Sequence, residues 1–274
     1  MNRRGFLKLA SLGVAAVAIG GTGYGFFEAG WVRIDRQTLT LPRLPASFYG
    51  TTIAFLTDIH HGPYVDIDYV NSIVRTTNLL SPDLILLGGD YCLREGKYIR
   101  PCFDALAMLR APMGVFGVLG NHDHWHGTQS TKDGMKAAHV RELTNDGVWF
   151  EKGGDRFRLG GIDDMWTGEP DLDLALTGAK RSDACLLLSH NPDFAETLTD
   201  PRVGLVLSGH THGGQIVFPA LPTPWVPSQY GDKYLRGFVQ APETTVYVSR
   251  GLGVSAIPAR IGSRPEINVI TLVG

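Results

Sequence analysis

Ala54-Phe55-Leu56-Thr57 running into Asp58-Ile59-His60 is the stretch that decides the fold. The apolar run is too short for a helix and ends abruptly in a carboxylate and an imidazole. The same arrangement recurs along the chain. Leu84 to Leu87 leads into Gly88-Gly89-Asp90, and Val115 to Leu119 leads into Gly120-Asn121-His122-Asp123. Leu186-Leu187-Leu188-Ser189 leads into His190, and Leu205-Val206-Leu207-Ser208 into Gly209-His210-Thr211-His212. Parallel strands would deliver all these side chains to one sheet edge, where ligands bind in open α/β sheets. The pattern predicts an α/β fold with polar donors converging in one crevice.

The residue types point to two divalent ions. Such ions, roughly 3.5–4 Å apart in phosphate-ester enzymes, need a shared anionic oxygen with imidazole, carboxylate or amide donors on either side. Asp90 is the expected bridge. Asp58, His60 and His212 are the expected donors to one ion, and Asn121, His190 and His210 to the other. Nitrogen and oxygen donors without thiolate suit Mn, Fe, Zn or Mg. Hydroxide held between the ions is the expected nucleophile, because coordination lowers the pKa of water toward ~7. His122, next to a donor, is expected to protonate the leaving group. Asp123 is expected to hold the His122 imidazole in its working tautomer. Taken singly, each histidine would read as a packed core residue and each aspartate as a turn or cap. The joint order overrides those readings, since a buried carboxylate without a partner is costly.

On DIH at 58–60, GGD at 88–90, GNHD at 120–123, SH at 189–190 and GHTH at 209–212, the sequence resembles the calcineurin-like metallophosphoesterase superfamily. The resemblance runs from about Thr51 to Val273. It implies a four-layer α/β/β/α sandwich of two mixed sheets packed face to face, with helices outside each. GHTHGGQI at 209–216, YVSRGLG at 247–253 and RPEINVITL at 264–272 resemble a membrane-associated bacterial subgroup described as UDP-2,3-diacylglucosamine hydrolase-like. That likeness implies pyrophosphate cleavage of a lipid-linked nucleotide. His122 departs from it, because the cytoplasmic enzymes of that substrate typically carry Arg there. The expected function is a two-metal phosphohydrolase cleaving a phosphodiester or pyrophosphate bond. A cell-envelope phosphodiesterase acting on a phospholipid headgroup or wall polymer is the competing reading, and a nuclease of the same superfamily a more distant one.

Composition bounds the alternatives. A chain of 274 residues with 43% hydrophobic content can bury one large core. A net charge of −2 offers no basic excess for a nucleic-acid backbone, so no nucleic-acid partner is expected. Cys92, Cys102 and Cys185 are odd in number and form no disulfide framework, and free thiols are expected.

The amino terminus carries an address. Asn2-Arg3-Arg4-Gly5-Phe6-Leu7-Lys8 resembles a twin-arginine signal, which implies the twin-arginine export machinery as a partner. The uncharged apolar run from Leu9 to Phe27 approaches the ~20 residues of a membrane-spanning helix. Its basic flank would stay cytoplasmic. The expectation is a membrane anchor with the catalytic domain exported. Cleavage at Ala16-Val17-Ala18, giving a secreted protein, is the alternative.

Residues 1–30 thus read as a targeting segment, 31–50 as a connector and 51–274 as the catalytic domain. Helical patterns fall at about 67–80, 101–110, 132–142, 171–178 and 192–199. Strands are expected near 52–57, around the Gly153-Gly154 turn and near 215–218. The Pro-punctuated loop 219–240 follows the GHTH donors, as functional long loops often do. In it Lys233 or Arg236 is expected to read phosphate, and Trp225 and Tyr230 to contact the rest of the substrate. His61, His124, Trp125 and His126 read equally well as crevice or solvated loop, and His139 reads as surface.

Overall fold

The computed structural model describes residues 23–274; the twin-arginine-like residues and most of the apolar run lie outside the described residues. Among those described, no helix is long and apolar enough to cross a membrane.

Alternation along the strands builds the layers. In β2 (Thr52–Leu56), Ile53 and Phe55 join one core cluster, and Ala54 and Leu56 join another. β3 (Leu84–Leu87) divides the same way, with Leu84 and Leu86 on one side and Ile85 and Leu87 on the other. Successive side chains point to opposite faces, so a strand apolar at every position must be covered on both. β8 (Ala184–Leu188) and β9 (Val203–Ser208) mirror this from a second sheet. Leu186, Leu188, Leu205 and Leu207 share the inner core with Phe55 and Leu86, while Cys185, Leu187 and Val206 face outward. Two sheets therefore pack face to face over one apolar layer.

The first sheet has the order β1-β12-β2-β3-β4-β5, with β1 (Arg33–Thr40), β4 (Val115–Gly117), β5 (Arg141–Glu142) and β12 (Glu266–Val273). The second has the order β10-β11-β9-β8-β7-β6, with β6 (Asp146–Lys152), β7 (Asp155–Gly161), β10 (Gly237–Gln240) and β11 (Thr245–Val248). Both are mixed. β2, β3 and β4 run parallel while β12 is antiparallel to β2. β7, β8 and β9 run parallel while β6 is antiparallel to β7. All donor-bearing strands are thus codirectional within their sheets.

Residues 23–30 form α1. The outer face of the first sheet is covered by α2 (Ile67–Leu79), α3 (Ile99–Leu106) and α4 (Asn121–Ala137), whose Ile73, Val74, Phe103 and Met135 pack with Leu56 and Leu87. Asp66 starts α2 by accepting the Tyr69 amide at 2.7 Å, and Val70, Ile73, Val74 and Thr77 give it one buried face. The second sheet has a thinner cover of α5 (Leu172–Ala175) and a 3-10 turn at Pro192–Glu196. The result is the α/β/β/α sandwich.

Several local expectations differ from what the chain does. Arg33–Thr40, expected as connector, forms β1, paired in parallel with β12 from Arg33↔Glu266 to Thr40↔Val273. Its alternating polar pattern is that of a half-exposed edge strand. Residues 23–30, expected within the targeting segment, dock on the domain. Glu28 is buried and accepts the Ser263 amide at 2.8 Å, and the Arg260 amide donates to Gly25 O. The helix expected at 132–142 begins at Asn121 and ends at Ala137. Its polar, aromatic first turns carry no apolar period, and Gly127 breaks it with φ 143°. The helical patterns at 171–178 and 192–199 shrink to four and five residues, the second begun by Pro192 and only 3-10 in kind. No strand forms at 215–218, where a single bridge joins Ile216 to Ile261. The three cysteines are free and buried.

Candidate metal centre

Every expected donor sits just beyond a strand end, and each is buried. Asp58 and His60 follow β2, Asp90 follows β3, Asn121 follows β4, His190 follows β8, and His210 and His212 follow β9. Asp58, His60, Asp90, His210 and His212 all have left-handed backbones, with φ between 52° and 70°. Such conformations cost non-glycine residues roughly 1–2 kcal/mol each and gather at functional sites. Tight turns let neighbouring side chains face one point. Gly89 and Gly120 provide the close approach, since a Cβ on Gly120 would lie 2.8 Å from the Asp90 carboxyl carbon. Gly120→Ala should therefore push Asp90 aside at a cost of ~1–3 kcal/mol of overpacking. A thermal melt should show a Tm lower by several degrees together with weakened metal binding. An unshifted Tm with full metal content would refute this packing.

The expected donors form two groups, linked where Asp90 of one approaches His60 of the other. Asp58, His60 and His212 have ligand atoms within mutual reach, as do Asp90, His190 and His210. His60 Nε2 lies 3.1 Å from His212 Nε2, and His212 Nε2 lies 3.5 Å from Asp58 Oδ1. In the other group His190 Nε2 lies 3.2 Å from His210 Nδ1. Asp90 Oδ2 stands between the groups, 3.5 Å from His60 Nε2 and 3.2 Å from His190 Nε2. The buried Asn121 Oδ1 has no hydrogen-bond partner. An orphaned amide oxygen beside nitrogens crowded onto a shared carboxylate is a donor set that fits divalent cations.

Surrounding hydrogen bonds fix these donors. His190 Nδ1 is 2.7 Å from Gly88 O, which leaves Nε2 as the free donor. The Asp58 carboxylate accepts the His210 amide at 3.0 Å and the Thr57 hydroxyl at 2.9 Å. Arg260, fully buried, donates to Gly253 O at 2.9 Å and Ser263 O at 2.9 Å, tying together the loops around His212. Burial lowers its pKa to about 10.

Without cations the charges lean on one another. Burial pushes the Asp58 carboxyl up to about 6 and the His60 imidazole down to about 3. Burial opposes ionisation of Asp90 too, but His190 and His122 outweigh it and hold Asp90 well below the carboxylate range. Asp90 in turn overcomes burial and raises His190 well above the ordinary imidazole value. To ligate, His190 must lose a proton, and so must Asp58 below about pH 6. Loading the chelated protein should release about one proton per chain at pH 7, rising as the pH falls through 6. Calorimetry in buffers of differing ionisation enthalpy reads this, and proton release that stays flat between pH 8 and 5 would contradict it.

His122 and Asp123 separate. His122 is half-buried at the mouth, its ring 4.7 Å from that of His60 and its amide donating to Asp90 Oδ1 at 2.8 Å. Its Nδ1 faces His126 Nε2 at 3.3 Å, not a carboxylate. Asp123 does not orient it. The Asp123 carboxylate turns inward to accept the amides of Asp90 at 2.8 Å, Tyr91 at 3.0 Å and Gly120 at 2.9 Å. Helix geometry explains the correction, because side chains of adjacent residues diverge. Burial, then the charge of Asp90, raises the Asp123 carboxyl to about 7.

Above the donors opens a cleft of about 370 Å³. Trp125, Trp166 and Trp225 wall it, each partly exposed at 56%, 41% and 59%. Trp166 meets the His210 ring edge-on at 4.4 Å. His126 and Arg94 also line the cleft. His124 instead pairs with Asp163 at 2.8 Å, His61 bonds Val65 O at 2.8 Å, and His139 is exposed. Of the loop 219–240, Trp225 reaches the cleft. Lys233 instead pairs with Glu196, and Arg236 donates to Gly262 O at 2.8 Å, so neither cation lines it. Trp166 escaped the sequence reading although it follows β7, which runs parallel to β8 and ends at the same edge. Arg94 and Arg260 carried no periodic or motif signal.

The sequence is similar to known phosphoesterases. The profile of the calcineurin-like phosphoesterase family matches residues 51–214. The uncharacterized metallophosphoesterase YkuE of Bacillus subtilis is 34% identical over 281 residues, covering 99% of this chain and 98% of its own. Phosphodiesterase YaeI of Escherichia coli is 31% identical over 278 residues, covering 100% of both. Among solved structures, a 5'-nucleotidase precursor from Thermus thermophilus aligns with a TM-score of 0.44 at 16% identity, over 74% of this chain and 49% of that one.

Proposed function

This chain belongs to the calcineurin-like phosphoesterase family, and from that premise we propose that it hydrolyses phosphodiester or pyrophosphate bonds at a two-metal centre, on a substrate with a large apolar substituent. That it is a metal-dependent hydrolase of phosphoric esters follows from membership and the clustered Asp and His donors. The position of Asp90 Oδ2 between His60 and His190 carries the two-metal reading. Asp58, His60 and His212 would hold one ion, Asn121, His190 and His210 the other, and Asp90 both. When bound, such ions supply Lewis-acid stabilisation of phosphoryl charge and acidify water.

The remaining roles fall to side chains. His122 presents its ring at the mouth beside His60 and gives a proton to the departing oxygen. His126, against His122 Nδ1, limits the orientations of that ring. Asp123 anchors the Asp90 loop to the start of α4 through the three amides it accepts. The three tryptophans exclude water and offer broad apolar contact.

That apolar cleft, together with the uncharged run from Leu9 to Phe27, supports a lipid-linked substrate met at a membrane. UDP-2,3-diacylglucosamine fits this class, and so does a cell-envelope phosphodiester such as a phospholipid headgroup. An exported, membrane-anchored catalytic domain is part of the same proposal. The absence of a basic excess disfavours a nuclease. The test is UMP release from UDP-2,3-diacylglucosamine by the full chain in detergent with Mn²⁺, alongside a generic aryl phosphodiester. Release supports the nucleotide-lipid substrate. Aryl diester turnover without UMP release moves the substrate to the envelope diesters, and no turnover of either with metals bound contradicts the proposal.

A further inference from the structure

We propose that Arg94, seated on Tyr64, forms an anion subsite beside the metal centre that takes a second anionic group carried by the substrate next to its scissile phosphodiester. This rests on the phosphodiesterase reading above. Arg94 lies on the loop leaving Asp90 and lines the cleft, where the one carboxylate among the described lining residues is Asp90, the shared donor proposed for the metals. Among the described residues lining the cleft it is the single permanent cation, beside apolar walls from Leu93, Trp125, Trp166, Trp225 and Ala256 and the imidazoles of His122 and His126. Cations of the surrounding loops are committed elsewhere. Arg250 pairs with Glu266, Lys97 with Glu95, and Arg260 donates to carbonyls. Among the described residues Arg94 makes no ion pair, and its guanidinium carbon lies 4.9 Å from the centre of the Tyr64 ring.

Two features separate this from an ordinary surface arginine. Its backbone is left-handed, with φ 72°, next to Leu93, which is locked into the wall of the cleft. That conformation belongs to a tight turn in which the Glu95 amide donates to Leu93 O at 3.0 Å, and the turn sets Arg94 at the edge of the cleft. Stacking on an aromatic face also restrains the guanidinium while leaving the N–H donors around its edge free. Those edge donors match the paired oxygens of phosphate or carboxylate. The metal centre accounts for the scissile phosphate, so Arg94 is left for another anion. Its sources are the adjoining phosphoryl of a diphosphate or a separate phosphomonoester on the same ligand.

Three substrates distinguish these with Mn²⁺-loaded full-length protein: thymidine 5′-(p-nitrophenyl phosphate), the same ester bearing a 3′-phosphate, and UDP-N-acetylglucosamine. Arg94→Gln should raise KM for a substrate with a second anion by roughly tenfold relative to the first ester. The ratio of kcat values should hold, and Arg94→Lys should recover part of the KM ratio. A shift with the 3′-phosphate marks a separate phosphomonoester as the partner, and one with the diphosphate marks an adjoining phosphoryl. If the parent cleaves these esters and Arg94→Gln changes all KM values equally or not at all, the subsite is wrong. If the metal-loaded parent cleaves none of them, the phosphodiesterase reading fails and the subsite with it. Arg94→Gly, which suits the left-handed backbone, checks that any loss is not misfolding, because it should melt no lower than the parent.

Discussion

Asp90→Asn is expected to lower kcat/KM on an aryl phosphodiester by about 10³-fold or more while leaving the metal-free fold intact. Asp90 Oδ2 stands 3.5 Å from His60 Nε2 and 3.2 Å from His190 Nε2, and Oδ1 accepts the His122 amide at 2.8 Å. An asparagine can keep its carbonyl on the His122 amide. Its NH₂ group then faces both imidazole groups, so the shared anionic oxygen is gone. Losing several kcal/mol of transition-state stabilisation at ~1.4 kcal/mol per tenfold gives that magnitude. Two further observations accompany it. Metal content should fall to one ion or fewer per chain. The metal-free variant should melt within a few degrees of the metal-free parent, which separates loss of the centre from loss of the fold. Retained turnover in Asp90→Asn would remove the bridging role.

His122→Ala is expected to slow turnover by an amount that depends on the leaving group. A proton donor is needed when the departing alkoxide is basic and hardly at all when it is an acidic phenol. We expect kcat to fall roughly 10²–10⁴-fold for an alkyl diester but less than about tenfold for a p-nitrophenyl diester. Metal content should stay at the parental value. His122 also lies within reach of His60 and Asp90 as a donor group, so lost metal would make it a ligand rather than an acid. Asp123→Asn provides the contrast. Its carboxylate serves three backbone amides and no imidazole, so this change should lower Tm without introducing leaving-group dependence. Equal loss on both substrates in His122→Ala would falsify the proton-donor role.

The convergence of these Asp, Asn and His side chains was legible in the sequence because strand and chemistry coincide. A run such as Leu84 to Leu87, apolar at every position, has to be buried on both faces, and the polar residue that ends it must emerge at the sheet edge. Repetition of that rule placed Asp58, Asp90, Asn121, His190 and His210 without further information. What it could not reach was side-chain direction within a turn. Asp123 and His122 are neighbours in sequence, yet one turns into the Asp90 loop and the other to the mouth. Edges were also hard to read. β1 has the half-polar alternation RIDRQTLT, which resembles a linker until β12, more than 200 residues later, supplies its partner. The walls of the cleft come from stretches far apart in the chain, and neither Trp166 nor Arg94 belongs to any local pattern. Lys233 misled for the opposite reason. A lysine in a long loop near the donors looked available, whereas Glu196 holds it from another element.

Metal stoichiometry reads out whether Asp90 joins two ions. The full chain, stripped with chelator and titrated with Mn²⁺, would be assayed for bound metal and for hydrolysis of an aryl phosphodiester at each step. Two ions per chain are expected, with turnover appearing only as the second site fills. Full turnover with one ion per chain, or turnover that survives complete chelation, would contradict a centre built around a shared Asp90.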